Sequence, residues 1–319
     1  MGSAGNEAPV IRARIGGHYR EDGHYPLAVV NVTNHCNLTC EHCFIFRDGN
    51  PNEAPKSIRE EMSPESMLET LRGLRDRHGI TVALWMGGEP LLKPRVLADG
   101  IRLFAHNTIV TNGTVPLIDF GPAVLYVVSL DGPEDLNDAI RGEGCYRRVT
   151  RNLSNLPHGF STPVQVQCVV TRRNQHRLQE LVETVRTTQA HWMTFSFYVP
   201  RATDTSPDAW ATVEERVWAV REVQRLKEKY AGFVRNSRLS LELMLPPHAR
   251  RVTDACPAHD AILPLYLEGD HFTTPFCCYG NDVDCDRCGA WVVFHLAARL
   301  GAERYGAADP ETPAATWPG

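Results

Sequence analysis

The sequence predicts an α/β fold: a parallel sheet, open or curled into a partial barrel, with amphipathic helices between the strands. Three observations predict it. Six short runs are almost wholly apolar, as strands covered on both faces are. Helical stripes stand between them. The motifs with chemical content follow the ends of such runs, where open α/β sheets and barrels keep their active sites.

The first run is LAVVNVT, residues 27–33. A helix is predicted to follow, with Ser63 as N-cap, Pro64 at the first position, and Met67, Leu68, Leu71 and Leu74 on one face. Next come TVALWMG (81–87), TIVTNG (108–113), VLYVVSLDG (124–132) and VQVQCVVT (164–171). Leu178, Leu181, Val182 and Val185 mark a second helix, and WMTFSFYV (192–199) is the last strand. Val213, Val217, Val220 and Leu226 mark a longer helix after it. Six β–α units in series imply parallel pairing with right-handed crossovers. An Ala/Gly/Pro-rich tail beyond about residue 300 is expected to be disordered.

With 319 residues, the chain suits one large domain or a domain with an appendage. A net charge of −5 without a long basic run argues against nucleic acid and leaves room for a cationic substrate. No run approaches the roughly 18 apolar residues of a membrane helix, and MGSAGNEAPVIRAR holds no signal region, so a cytoplasmic location is expected. In that reducing compartment ten cysteines are not a disulfide framework. They form one group at 36, 40 and 43 and another at 256, 277, 278, 285 and 288, with Cys145 and Cys168 alone between. Two metal sites are implied.

The first group stands in NVTNHCNLTCEHCF (31–44), spaced C-x3-C-x2-C. It is one thiolate short of a structural zinc or an ordinary iron–sulfur site. Zinc completed by His35 or His42 is one reading. The other is a [4Fe–4S] cluster on Cys36, Cys40 and Cys43, with one iron left open to a non-protein ligand. The motif resembles the signature of the radical S-adenosylmethionine (SAM) enzymes, on the loop after the first strand of a partial (β/α)6 barrel. That resemblance implies SAM chelating the open iron through its amino and carboxylate groups, and its reductive cleavage to methionine and a 5′-deoxyadenosyl radical. WMGGEP (85–90) is similar to the family's GGEP motif. There Gly87 and Gly88 allow close backbone approach, and Glu89 offers a carboxylate to the methionyl ammonium. The turns TNG and SLDG put Thr111, Asn112, Ser129 and Asp131 at the mouth. Arg141 resembles the residue that meets the SAM carboxylate, and His42 and Phe44 beside Cys43 complete the implied SAM-binding set. The likeness runs over about residues 26–200. The expected organisation is an N-terminal extension (1–25), the barrel (26–235), an auxiliary cluster-binding region (236–295) and a disordered tail (296–319).

The second group, from Cys256 to Cys288, is spaced C-x20-C-C-x6-C-x2-C. It resembles the twitch or SPASM appendage of the same family: a cysteine, a hairpin around LYLEGDHFTTPF, then a cysteine and a CxxC. Five thiols suit one auxiliary [4Fe–4S] cluster with one to spare, where the longer pattern needs seven or more. Either Cys256, Cys277, Cys285 and Cys288 ligate, or Cys277, Cys278, Cys285 and Cys288 do. In an extended chain adjacent side chains point to opposite faces, which disfavours the second set. A zinc ribbon is the alternative. Cys145 and Cys168 read as buried small hydrophobes.

A spare thiol, Cys256 or Cys278, suits a hydrogen donor that inverts a radical carbon. The chain therefore resembles aminoglycoside-modifying radical SAM enzymes, neomycin-type epimerases first and aminocyclitol dehydrogenases second. A cationic aminoglycoside would meet Asp131, Glu134, Asp135, Asp138 and Glu143, and flavodoxin or ferredoxin would supply electrons. A peptide-modifying enzyme usually carries a leader-binding domain, for which the 25 residues before the first strand are too few. A plain electron carrier would not need GGEP, TNG and SLDG.

Overall fold

The computed structural model describes residues 11–13 (backbone only), 18–46 and 61–307. The strands are β1 (Ile11–Ala13), β2 (Leu27–Asn31), β3 (Val82–Met86), β4 (His106–Thr111), β5 (Val124–Ser129), β6 (Val164–Val170), β7 (Trp192–Phe197), β8 (Ile262–Glu268) and β9 (His271–Thr274). The helices are α1 (Pro64–His78), α2 (Pro94–Gly100), α3 (Glu134–Arg141), α4 (Cys145–Ser154), α5 (Leu178–Val185), α6 (Val213–Lys229), α7 (Arg238–Leu243), α8 (His248–Asp254), α9 (Ala258–Ala261) and α10 (Trp291–Gly301). Every strand read from the sequence forms. So does α1, where the Ser63 hydroxyl accepts from Ser66 N and Gly79 ends the helix at φ +67°.

One β–α unit does not form. No helix joins β4 to β5. Pro116 and Pro122 interrupt that stretch, and Asp119 stitches it into a loop by accepting from the amides of Gly121, Ser161 and Thr162. The α6 stripe also differs. Arg216, Ala219, Val220, Val223 and Leu226 are buried, whereas Val213 and Val217 are half-buried.

The chain divides into two compact units. The first comprises Met1–Asn37, Phe44–Ile109 and His259–Asn281. Its strands run in the order β1-β9-β8-β2-β3-β4. β2 lies parallel to both β3 and β8, while β8 and β9 form an antiparallel hairpin. This corrects the expected organisation: the hairpin is part of the first unit's sheet beside β2, not of a separate appendage. The reason lies in its sequence, since ILPLYL is buried at every position and needs cover on both faces. The N-terminal extension supplies β1, parallel to β9; residues 1–10 and 14–17 of it lie outside the described residues.

The second unit comprises Leu38–Cys43, Val110–Ala258 and Asp282–Gly319. β5, β6 and β7 pair in parallel there, with Tyr126 opposite Val164 and Gln165 opposite Trp192. Asn236 satisfies the outer edge of β7, accepting from Phe195 N and donating to Phe195 O. The predicted tail is ordered further than expected. α10 buries Val293, Phe294 and Ala297, and a 3-10 turn follows at Ala302–Tyr305. Only 308–319 of it lies outside the described residues. Among those described, no helix is long and apolar enough to cross a membrane.

Candidate active site

In the first unit the chain leaving β2 runs through Thr33, Asn34 and His35 to Cys36. The end of β3 is laid against it: Gly88 N donates to Thr33 O at 2.7 Å and Glu89 N to His35 O at 2.9 Å. A Cβ on Gly88 would stand 2.2 Å from His35 O, and one on Gly87, at φ +139°, 2.5 Å from Thr33 O. Both positions therefore demand glycine. Gly88→Ala is expected to displace the approach to Cys36 and lower iron incorporation at least tenfold, measured by iron content after anaerobic reconstitution. Glu89 is fully buried, and its carboxylate accepts from Leu91 N at 3.0 Å. The Phe44 ring packs on Tyr279 with centroids 4.7 Å apart.

Sequence reasoning missed Glu61. Its carboxylate, 2% exposed, accepts from the Thr33 hydroxyl at 2.8 Å and from Asn34 N, and pairs with Lys93 at 2.9 Å. It ties the segment before Cys36 to the start of α2. No local motif marks it, because its partners lie 27 to 32 positions away.

In the second unit Cys40, Glu41, His42 and Cys43 lie against the ends of β5 and α3. Asp131 is wholly buried. One oxygen accepts from Arg141 Nε at 2.6 Å and meets His42 Nε2 at 2.9 Å; the other accepts from Val169 N at 2.8 Å. Burial opposes its charge, but Arg141 and then His42 outweigh burial and hold the carboxyl well below the usual range. Burial likewise opposes the Arg141 charge, yet Asp131 and then Cys40 raise its pKa. Glu41 N donates to Ile140 O, and its carboxylate meets Arg173, which also pairs with Asp208. The loop carrying Cys40 and Cys43 is thus fixed at both residues between them, by the Glu41–Arg173 ion pair and by the His42–Asp131 contact. His42 Nδ1 is buried and has no hydrogen-bond partner among the described residues.

Asp131 is therefore an internal anchor and not a mouth residue open to a ribose or a cation. The other acids expected to receive a polycation are mostly engaged as well. Glu134 pairs with Arg147, Asp135 with Arg177, and Asp138 accepts from Gly144 N and Tyr146 N. Glu143 stays exposed. Thr111 and Asn112 shape their own turn: the Thr111 hydroxyl accepts from Gly113 N, and Asn112 Oδ1 accepts from Thr114 N. Ser129 is half-buried at the end of β5, opposite Gln167. Cys145 and Cys168 are fully buried, and burial raises both thiols.

The C-terminal cysteines fall in both units. In the first, Cys277 and Gly280 exchange backbone hydrogen bonds across a tight turn. Its neighbour Cys278 and then burial push the Cys277 thiol up. The pair is not extended, so alternation of faces does not decide between the two ligand sets. Cys278 is buried, and its carbonyl accepts from the Tyr266 hydroxyl at 3.1 Å. In the second unit Asp284 caps the turn Cys285–Arg287. Cys256 follows α8, whose Arg250 bridges Asp254 and Asp286. That bridge ties the Cys256 segment to the Cys285 turn. Among the described residues no three His, Cys, Asp or Glu side chains form a ready metal-binding group.

A family model described as the Radical SAM superfamily matches residues 30–185, the stretch from β2 through α5. Over that stretch, about half of its length, the chain is similar to the radical SAM superfamily. Among curated relatives, it is 27% identical to pre-heme d1 synthase of Dinoroseobacter shibae over 50% of this chain and 40% of that one. It is also 27% identical to the mycofactocin maturase MftC of Mycobacterium tuberculosis, over 61% of this chain and 52% of that one. The chain thus spans about half, or less, of those relatives' length. Among solved structures, SuiB of Streptococcus suis bound to S-adenosylmethionine superposes with a TM-score of 0.58 at 15% identity, covering 76% of this chain and 59% of SuiB. SuiB has also been solved bound to its precursor peptide SuiA. That likeness establishes the radical SAM partial barrel fold, mostly parallel and open.

Proposed function

We propose that this chain is a radical SAM enzyme that abstracts a hydrogen atom from a peptide substrate. The observation that carries the radical SAM chemistry is the seating of Gly88 and Glu89 on the backbone that leads into Cys36. The donor set fits the family's cofactors. Three thiols at C-x3-C-x2-C suit a [4Fe–4S] cluster with one open iron, and the glycine pair lets the end of β3 seat against the backbone leading into Cys36, where any Cβ would collide with it. SAM bound there would, on one-electron reduction, supply a 5′-deoxyadenosyl radical and release methionine. Cys36, Cys40 and Cys43 would hold the irons. Glu89 would receive the methionyl ammonium, and Arg141, kept charged by Asp131, would receive the carboxylate. Phe44 and His42 would flank the bound cofactor. Flavodoxin or ferredoxin would deliver the electron.

A peptide replaces the aminoglycoside for two reasons. Of the acids that would greet a polycation, all but Glu143 are already engaged by neighbouring groups, and MftC is named a maturase while SuiB has been captured with a precursor peptide. A second [4Fe–4S] cluster on Cys277, Cys285, Cys288 and either Cys256 or Cys278 completes the proposal. Anaerobically reconstituted protein is then expected to hold about eight iron per chain, two clusters of four. About four iron, or zinc, would remove the second cluster. For the substrate, peptides from short reading frames flanking the gene and a neomycin-class aminoglycoside are each incubated with SAM and reductant in deuterated water. A peptide is expected to raise 5′-deoxyadenosine above the uncoupled level and to change in mass. An aminoglycoside epimer carrying one solvent deuterium would instead restore a sugar epimerase with Cys256 or Cys278 as hydrogen donor.

A further inference from the structure

Arg216, in the first turn of α6, is 1% exposed and faces no carboxylate among the described residues. Its Nη1 donates to the backbone carbonyls of Arg287 at 3.0 Å and Cys288 at 2.7 Å, and Nη2 lies 3.5 Å from Met244 O. Nε is buried and has no partner among the described residues. The guanidinium also stands 6.0 Å from the centroid of the Phe197 ring. Other buried arginines in this unit are built differently: Arg141 has Asp131, and the half-buried Arg173 has Glu41 and Asp208. An isolated buried cation costs several kcal/mol of desolvation, and carbonyl dipoles recover only part of it. Burial accordingly lowers its pKa to about 10, with Cys288 the one group acting the other way. At neutral pH it remains charged.

The loop it grips is the C-terminal CxxC. Gly289, just before α10, fits only because it lacks a side chain: a Cβ there would lie 2.9 Å from Arg216 Nη1 and 2.6 Å from Phe197 Cβ. Gly289 O in turn accepts from Phe197 N at 2.9 Å. The polypeptide is therefore shaped to bring an uncompensated positive charge against Cys288. Arg287 performs the ordinary fastening. Its Nε pairs with Asp284 at 2.8 Å, and its other nitrogens bind the carbonyls of Arg201, Asp204 and Trp210. With Arg287 in that role, holding the loop does not explain a second, buried and unpaired arginine.

We propose that Arg216 is the built-in counter-charge of an anionic metal–thiolate centre on the Cys285–Cys288 loop, and that it sets the reduction potential of that centre. The inference rests on the auxiliary cluster proposed above. Thiolate-ligated iron–sulfur clusters are anionic and gain one further negative charge on accepting an electron. A fixed cation in a dry surrounding therefore favours the reduced form.

The test uses the full-length Cys36→Ala/Cys40→Ala/Cys43→Ala protein, so that only the C-terminal centre contributes, titrated with dithionite and followed by electron paramagnetic resonance. With Arg216→Met added, the ratio of reduced to oxidised cluster at a fixed potential is expected to fall at least tenfold, a downward shift of about 59 mV for a one-electron couple. Arg216→Lys, which keeps the charge, is expected to stay close to the parent. Failure of Arg216→Met to load a cluster that Arg216→Lys still loads also supports the counter-charge. Equal potentials and equal loading in the parent and both variants overturn it, because a purely structural anchor would leave the potential unmoved. If the parent holds zinc, the auxiliary-cluster reading fails separately, and the counter-charge is read from chelator competition. At least tenfold weaker zinc retention in Arg216→Met than in Arg216→Lys supports it; equal retention overturns it.

Discussion

Replacing Cys36, Cys40 and Cys43 together by alanine is expected to abolish formation of 5′-deoxyadenosine from SAM, leaving no activity above the reductant-only background. The thiols are the only cysteines on the loop that follows β2, and the GGEP backbone is seated on the segment that leads to the first of them. Iron should fall by about four per chain, one cluster's worth. The rest should remain, because the other cysteine group lies more than 200 positions away in sequence. The assay is chromatographic measurement of 5′-deoxyadenosine under dithionite, with iron measured on the same sample. Undiminished deoxyadenosine in the triple variant would move the SAM chemistry away from this loop.

Asp131→Asn is expected to destabilise the protein by about 3–5 kcal/mol, the cost of breaking a buried ion pair and stranding the Arg141 charge. Arg141 and His42 both meet the same carboxylate oxygen, so the variant disturbs the loop carrying Cys40 and Cys43 as well. The acid limb carries the sign. The folded-state pKa of Asp131 is depressed below its unfolded value of about 3.9, so its contribution is fully present above that value. It is lost as pH falls through the folded pKa. The gap between wild type and Asp131→Asn in urea unfolding should therefore be full at neutral pH and narrow under strong acid. A stability difference below about 1 kcal/mol at neutral pH would show that the pair is not the anchor described.

Much of this was legible from local pattern. Apolar runs marked every barrel strand, because strands covered on both faces bury mostly apolar side chains, and the few polar ones, such as Gln165 and Thr194, bond to each other. The start of α1 was marked by Ser63 and Pro64, whose effects act within one helical turn. Three features were not legible. ILPLYL could be seen as a hairpin strand, but nothing local told that β8 pairs with β2, a partner more than 230 positions away. The helix expected between β4 and β5 gave way to a loop that Asp119 ties to Ser161 and Thr162. Glu61 carries no local signal, because its partners lie 27 to 32 positions away.

By itself the sequence determined the chemistry on offer: thiols at C-x3-C-x2-C, glycines beside a glutamate at a strand end, and a second cysteine group ending in CxxC. Ligand spacing is a property of the chain and survives in any single-letter reading. Only the tertiary structure decided which charges are available. Asp131 reads as a mouth carboxylate in SLDG, yet it is buried against Arg141 and His42. Arg216 reads as one basic residue on a helix, yet it is buried without an anion beside Cys288. Whether a charge is solvated, paired or stranded depends on what long-range packing places around it. In a dry interior that difference is worth several kcal/mol, and no local pattern encodes it.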